Sequence, residues 1–206
     1  MKIVGTAHIQ CPACGAEQGC ELVQSINTRE HPATKQRLLD GSLNVLACAC
    51  GKRTQLAANL LFHDPDADYF CHVVPGGEPA MAKAADAFRA AGATGTQRLV
   101  PSINALVEKV KLLDAGLEDW AIEMNKVLLL ASLGDGELDR VLLFDGCEAA
   151  TIRWVLFDQR GEAQIVSSPR SAYEKLAART NARPSELRID RAWAVEAVRT
   201  MITRAN

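Results

Sequence analysis

Apolar and polar positions alternate along the first third of the chain. Val4, Ala7 and Ile9 flank polar residues in a loose period of two, which predicts a strand leading into Cys11. Residues 21–26 are expected to form the strand that leaves it. Pro32 and Gly41 bracket a short helix, since proline suits a first helical position and glycine the residue just past the end. Leu43, Val45 and Ala47 alternate with Ser42, Asn44 and Leu46 as a third strand that runs into Cys48 and Cys50. Residues 55–62 and 69–74 read as further strands, separated by the turn signal Asp64-Pro65-Asp66. Residues 1–75 are therefore expected to be a small β-rich module with one short helix.

After Pro75-Gly76-Gly77-Glu78-Pro79, a linker by composition, the period changes from two to 3.6. Residues 81–91 are alanine-rich and helical, closed by Gly92. A second helix over 101–113 places Ile103, Leu106, Val107, Val110 and Leu113 on one face. A third, over 118–133, opens on Glu118-Asp119, where acids favour a helix start, and stops at Gly134-Asp135-Gly136. Strands are expected at 141–144, 151–157 and 163–166. A helix begins at Ser168-Pro169, with Ser171 and Glu174 at capping-box spacing. A last helix, from about Asp190, carries Trp193, Ala194, Val198, Met201 and Ile202. The fold class that follows is α+β. A β-rich, zinc-ribbon-like N-terminal module (1–75) precedes a domain of helices and a three-stranded antiparallel sheet with C-terminal helices (76–206).

The 206 residues are 48% hydrophobic, enough for a real core. The formal charge of −2, from 23 basic and 25 acidic residues, argues against nucleic acid or an anionic membrane as partner. Residues 139–206 hold eleven bases against nine acids, and no block of five like charges occurs. The longest apolar run, near 127–133, falls short of the ~18–20 residues that span a bilayer. No signal-peptide core precedes the first cysteine. The expectation is a soluble cytoplasmic protein with reduced thiols, in which seven cysteines, an odd number, do not form a disulfide framework.

Six of those cysteines lie in the first 71 residues, and all four histidines lie in the first 72. Cys11-Pro12-Ala13-Cys14-Gly15 has the form of a zinc knuckle, because two thiolates three positions apart on a tight turn can reach one tetrahedral ion. Cys48-Ala49-Cys50-Gly51 repeats the theme one residue shorter. Two cysteines at alternate positions of an extended segment face opposite ways, so the second pair can share an ion only if the chain turns there, which Gly51 permits. Cys11, Cys14, Cys48 and Cys50 around one structural Zn²⁺ is the coherent set, with His8, His63 or Cys20 as substitute ligands. A four-cysteine site has no open coordination position and is structural rather than catalytic. A thioredoxin-like reading of Cys11–Cys14 wants a helix opening at the first cysteine, whereas glycine and strand-like residues follow Cys14.

The order Cys11-Pro12-x-Cys14-Gly15, Ser25-Ile26-Asn27, Leu38-Leu39-Asp40-Gly41, Leu43-Asn44-Val45 into a second Cys-Gly, then Phe62-His63-Asp64-Pro65, resembles the CpXC-domain family of bacterial proteins. The resemblance covers about 1–75 and extends weakly through Val100-Pro101-Ser102 and Glu118-Asp119. It implies two cysteine pairs and metal binding, and no particular activity. The sequence departs from the pattern at the second pair, where Ala47 stands in the expected first-cysteine position and Cys48 follows it.

Other candidates read as structural. Asp64, Asp66 and Asp68 alternate like the start of a calcium loop, but Tyr69 and Pro75 occupy the positions that need glycine and glutamate. Cys71-His72 are adjacent on a strand and face opposite ways. Cys20 and Cys147 suit small apolar fillers, and Trp120, Trp154 and Trp193 suit a core. Arg179, Arg183, Arg188 and Arg191 are expected on a solvated face. The function expected is a non-catalytic protein-interaction or adaptor module with a protein partner. A nucleic-acid-binding zinc ribbon, for which only Lys52 and Arg53 adjoin the knuckles, and an enzyme of unknown class using His63 and Asp64 are the alternatives.

Overall fold

The structure, a computed structural model, describes residues 4–92, 94–134, 139–158, 160–179 and 184–204. It is α+β, with six helices and eleven strands among those residues. The chain forms two compact units, Met1–Val107 and Glu108–Asn206.

In the first unit, β1 (Val4–Gln10) pairs antiparallel with β2 (Glu17–Val23). Its polar-apolar alternation leaves one half-buried face and no buried strand residue before Val23. The expected strand over 21–26 is broken at Gln24. Its second half, β3 (Ser25–Asn27), joins a different sheet. Helix α1 (Pro32–Leu39) starts at proline, as expected, and buries Thr34 and Leu38. A two-stranded ribbon follows, β4 (Val45–Ala47) with β5 (Arg53–Gln55).

Strands β6 (Leu60–Asp64) and β7 (Tyr69–Val73) form an antiparallel hairpin at the centre of a four-stranded sheet. β3 flanks β6 in parallel, and β8 (Thr96–Val100) flanks β7 in parallel. Parallel neighbours need a crossover, and α2 (Gly77–Ala91) supplies the one between β7 and β8. The helix starts four residues earlier than the alanine-rich run, after Gly76, whose φ of 112° suits glycine alone. The first unit therefore runs past the compositional change at 75–79.

In the second unit, β9 (Val141–Cys147), β10 (Thr151–Phe157) and β11 (Ala163–Pro169) make an antiparallel sheet with β10 central. Helix α3 (Ile103–Asp114) spans the limit between the units; α4 (Asp119–Leu133) packs on α5 (Arg170–Ala177) and α6 (Arg191–Thr203). Ile152, Trp154 and Leu156 of β10 point into the core with Leu142, Phe144, Ile122 and Leu130. Ser168 accepts the Trp154 indole hydrogen bond at 2.9 Å. The expected Ser171–Glu174 capping box does not form: α5 begins at Arg170 without a side-chain cap, and Glu174 pairs with Arg170 at 3.3 Å. Asp190 does cap α6, accepting from the Trp193 amide at 3.0 Å.

Helix α4 is buried nearly all round, so its charges are paired. Lys109 Nζ lies 2.8 Å from Asp119 and 2.9 Å from the Ile189 carbonyl. Lys126 Nζ lies 2.8 Å from Glu108 and 2.9 Å from Glu123. Burial opposes the Lys126 charge, yet Glu123 and Glu108 hold its pKa above the ordinary value. Of the expected turns, Asp135, Gly136 and Gln159 lie outside the described residues.

Candidate metal centre

Both cysteine pairs sit in hairpin turns. Cys11 follows β1; its N–H donates to the Ala16 carbonyl and its own carbonyl accepts from Gly15, both at 2.9 Å. Gly15 turns the chain with φ 74°. Cys48 follows β4 and repeats this arrangement: its N–H donates to Lys52 and its carbonyl accepts from Gly51, again at 2.9 Å, with Gly51 at φ 86°. The chain therefore does turn between Cys48 and Gly51, which removes the opposite facing that an extended Cys-x-Cys would impose. Each turn offers one buried thiol, Cys11 or Cys48, and one exposed thiol, Cys14 or Cys50.

The four sulfur atoms all lie within 4.8 Å of one another. Cys11 and Cys50 Sγ are 3.8 Å apart, and Cys14 and Cys48 Sγ 3.5 Å. These separations exceed a disulfide bond of about 2.05 Å, and all seven cysteines are free thiols. Four sulfurs at about 2.3 Å from one tetrahedral ion would stand about 3.8 Å from each other. The donor set and its spacing thus fit a single metal ion.

The electrostatics of the cluster point the same way. The backbone N–H groups of Ala13 and Cys14 donate to the Cys11 sulfur and, with the neighbouring thiols of Cys48 and Cys14, lower its pKa to about 6 against the pull of burial. For Cys48 the Cys50 backbone N–H lowers the pKa, but burial and the three neighbouring sulfurs outweigh it and push the thiol up to about 12. One thiolate is favoured here and a full set is not, unless a cation neutralises them.

Two residues take positioning roles that the sequence reading does not assign, although Asn44 stands there in the Leu43-Asn44-Val45 motif. Buried Asn44 takes a positive φ of 51°, tolerable for asparagine. Its Oδ1 accepts from the Val23 N–H at 2.8 Å and its Nδ2 donates to the Val23 carbonyl at 2.9 Å. Its carbonyl accepts from Leu56 N–H at 2.9 Å. One side chain thus ties the end of the first hairpin to the base of the second. Gln18 Nε2 donates to Cys48 Sγ at 3.2 Å, the kind of outer contact that orients a ligand. The hints at Asn44 were its place in that motif and its residue type, which suits positive φ; nothing pointed to Gln18.

The remaining candidates lie elsewhere. His8 is exposed, 3.9 Å from Glu17; Cys20 donates to the Gln18 carbonyl at 3.9 Å; His63 stacks on Phe70 at 4.0 Å. None joins the four sulfurs, the one such ligand group among the described residues. Asp64 is buried, accepts from the Asp66 and Ala67 amides and lies 3.7 Å from Lys35, which makes the acidic stretch a polar turn. Cys71 is fully buried, while His72 on the opposite strand face stacks on Phe88. Burial lowers the His72 pKa. Arg188 pairs with Asp190 at 3.2 Å, and Arg191 donates to the Arg140 carbonyl. Arg183 lies outside the described residues.

The chain matches the family model described as CpXC protein over residues 9–126. It belongs to the CpXC family. The match takes in both cysteine turns and continues through α2, α3 and the first half of α4, well past the stretch in which the motifs cluster. Comparison with curated proteins and with solved structures gives no match. Among the described residues, no helix is long and apolar enough to cross a membrane.

Proposed function

We propose that this CpXC protein is a non-catalytic cytoplasmic protein in which Cys11, Cys14, Cys48 and Cys50 hold one structural Zn²⁺, and that it works as a protein-interaction module. The four-sulfur cluster carries the metal reading. Thiolates in a tetrahedral set select zinc or iron among the common metals. Zinc is favoured because a closed structural site on two Cys-Gly turns requires no redox change. The ion would cross-link the two hairpins and leave no position for water or substrate. Metal analysis of the purified protein tests this directly: one zinc per chain is expected, with loss of the hairpins on chelation. Iron, or substoichiometric metal with an unchanged fold after chelation, overturns it.

The interaction reading is supported by the outer face of the β9–β10–β11 sheet. Leu143, Val155 and Ile165 are aligned across the three strands, beside a row of Val141, Phe157 and Ala163. Ile165 is 65% exposed and Val141 47%. A contiguous apolar face of this kind on a soluble chain marks a contact surface. Proteins retained by the wild type but lost on Ile165→Asp are expected in co-purification; an unchanged set counts against the reading.

A further inference from the structure

The two edges of the β9–β10–β11 sheet are finished differently. In an antiparallel pair, successive residues alternate between bonding the neighbouring strand and facing away from it. Arg170 N–H donates to the Ala150 carbonyl and Asp158 N–H to the Glu162 carbonyl, which continue the β10–β11 register at both ends. Gln164, Val166 and Ser168 therefore bond β10, while Ala163, Ile165 and Ser167 turn their N–H and C=O groups outward. On the opposite edge the same alternation, carried past the bulge in the β9–β10 pairing, turns Phe144 outward. That edge is guarded. Glu108 accepts from the Phe144 N–H at 2.6 Å, and Arg191 donates to the carbonyl of Arg140, just before β9.

The β11 edge has no such guard. Among the described residues, no hydrogen bond reaches the outward groups of Ala163, Ile165 and Ser167, and all three residues are exposed. The strand has no charged side chain and no bulge, two devices that keep an edge from pairing. Its one proline, Pro169, stands at its very end. A regular, uncharged edge of this kind accepts a further strand through its main chain.

We propose that β11 pairs antiparallel with β11 of a second copy of this chain, across a two-fold axis at Ile165. The register follows from the free groups. With Ile165 opposite Ile165 of the second copy, Ala163 lies opposite Ser167, and every outward N–H and C=O of the three residues finds a partner. A slide of two residues one way sets Pro169, which has no N–H, opposite Ala163. A slide the other way sets Gly161, already donating to Asp158, opposite Ser167. The matching register opposes no like charges within the strand. It also joins the Leu143–Val155–Ile165 row of one copy to the same row of the other, so the exposed Ile165 side chains meet. This self-match favours a second copy over an unrelated strand, and makes the contact isologous. The proposal rests on the interaction reading and names its partner. The seven residues span only about 24 Å, which puts the contact among the small, reversible interfaces.

The experiment uses the full chain in its metal-loaded form. Sedimentation velocity from roughly 1 μM to 1 mM is expected to show a reversible monomer–dimer equilibrium. Amide exchange, read residue by residue by NMR, is expected to slow for Ala163, Ile165 and Ser167 as the dimer forms. The slowing should be about fivefold at ten times Kd, where about a fifth of the chains remain free. Gln164, Val166 and Ser168 should be protected at every concentration. Ser167→Pro removes one outward donor without touching the β10 ladder, and should weaken the dimer at least about tenfold with metal content unchanged. Should that variant fail to fold, Ile165→Lys and Ile165→Glu supply the test. Each alone should be monomeric, and their equal mixture should dimerise, because position 165 faces itself.

A monomer throughout, a dimer whose Ala163, Ile165 and Ser167 amides stay unprotected, unchanged dimerisation by Ser167→Pro, or a charge-swapped mixture that stays monomeric overturns the proposal. Proteins lost on Ile165→Asp but kept by a monomeric wild type and by Ser167→Pro would leave the interaction reading standing and this proposal refuted.

Discussion

The cysteine turns and the C-terminal core reach order by different means. Around the turns, Cys11, Leu46, Cys48 and Leu56 form the buried cluster, with Ile9, Cys20 and Leu22 packed against it. Two of those four buried side chains are the thiols themselves. In Glu108–Asn206, by contrast, eighteen buried residues share one core that includes Trp120, Phe144 and Trp154, sixteen of them from four helices and two strands. A two-stranded hairpin is marginal alone in water, and a small module buries too little apolar surface to stand without a cross-link. The difference teaches that one region's stability is chemistry at a point, while the other's is spread over area.

Removing the ion is the strongest way to break that comparison. Chelation, or Cys48→Ser, should release on the order of 10 kcal/mol of binding free energy that is also folding free energy. Amide hydrogen exchange is the measurement. Protection over 4–23 and 45–55 should collapse, while α4 and β10 keep theirs. Loss of protection in β10 as well would show that the two regions do not hold themselves separately.

The pKa values add a sign to this experiment. Cys11, held at about 6, contributes stability to the metal-free fold that is complete above its ordinary value of 9.0 and lost as pH falls through 6. Cys48, pushed to about 12, contributes stability that is complete below 9.0 and lost as pH rises through 12. At pH 7 Cys11 is already a thiolate, so metal binding should release fewer than four protons. Calorimetry in two buffers of different ionisation enthalpy counts them, and Cys11→Ser should abolish the low-pH thiolate transition.

The reciprocal disruption is Trp154→Ala. It empties a fully buried site in the centre of β10 and strands the Ser168 hydroxyl. A loss of about 3–5 kcal/mol is expected, read as a lowered denaturation midpoint for the second unit with metal content unchanged. Metal loss on this substitution would mean that the site depends on the core of the second unit.

Asn44→Ala sharpens the first half of the comparison, because it leaves every thiol in place. The Val23 N–H and carbonyl would lose their buried partners, and alanine suits φ 51° poorly. The cost should be about 2–3 kcal/mol, expressed as weaker metal retention against a competing chelator. Retention equal to the wild type would assign the spacing of the turns to the metal alone.

These residues also mark what was legible in the chain beforehand. Cys11-Pro12-Ala13-Cys14-Gly15 and Cys48-Ala49-Cys50-Gly51 declare themselves because a tight turn and its glycine are short-range requirements. The strand over 151–157 matches β10 because one of its faces is buried and the other is not, which writes a period of two. β8 was missed for the opposite reason. Its burial rises along the strand instead of alternating, and it contains Arg98, 2% exposed, so neither pattern nor composition suggests a strand. The same reasoning merged β2 with β3, since residues 21–26 carry no signal that the chain changes sheet at Gln24. The role of Asn44 lay beyond reach because it depends on a partner 21 residues away.

The smallest predicted effect concerns where the C-terminal core begins its last helix. Asp190 was read only as an approximate start, yet its side chain accepts from the Trp193 amide at 3.0 Å while its carbonyl takes the first helical bond, from Ala194. Replacing it by alanine removes one cap and also the Arg188 ion pair at 3.2 Å, which is solvent-exposed enough to add little. The loss should be about 1 kcal/mol, seen as a modest fall in the denaturation midpoint of the second unit. Asp190→Asn keeps an acceptor and should restore most of it, which separates the cap from the charge. Fraying the first turn of α6 should leave metal retention unchanged. A change in metal retention from a substitution this mild would contradict the separation of the two regions more sharply than any larger disruption.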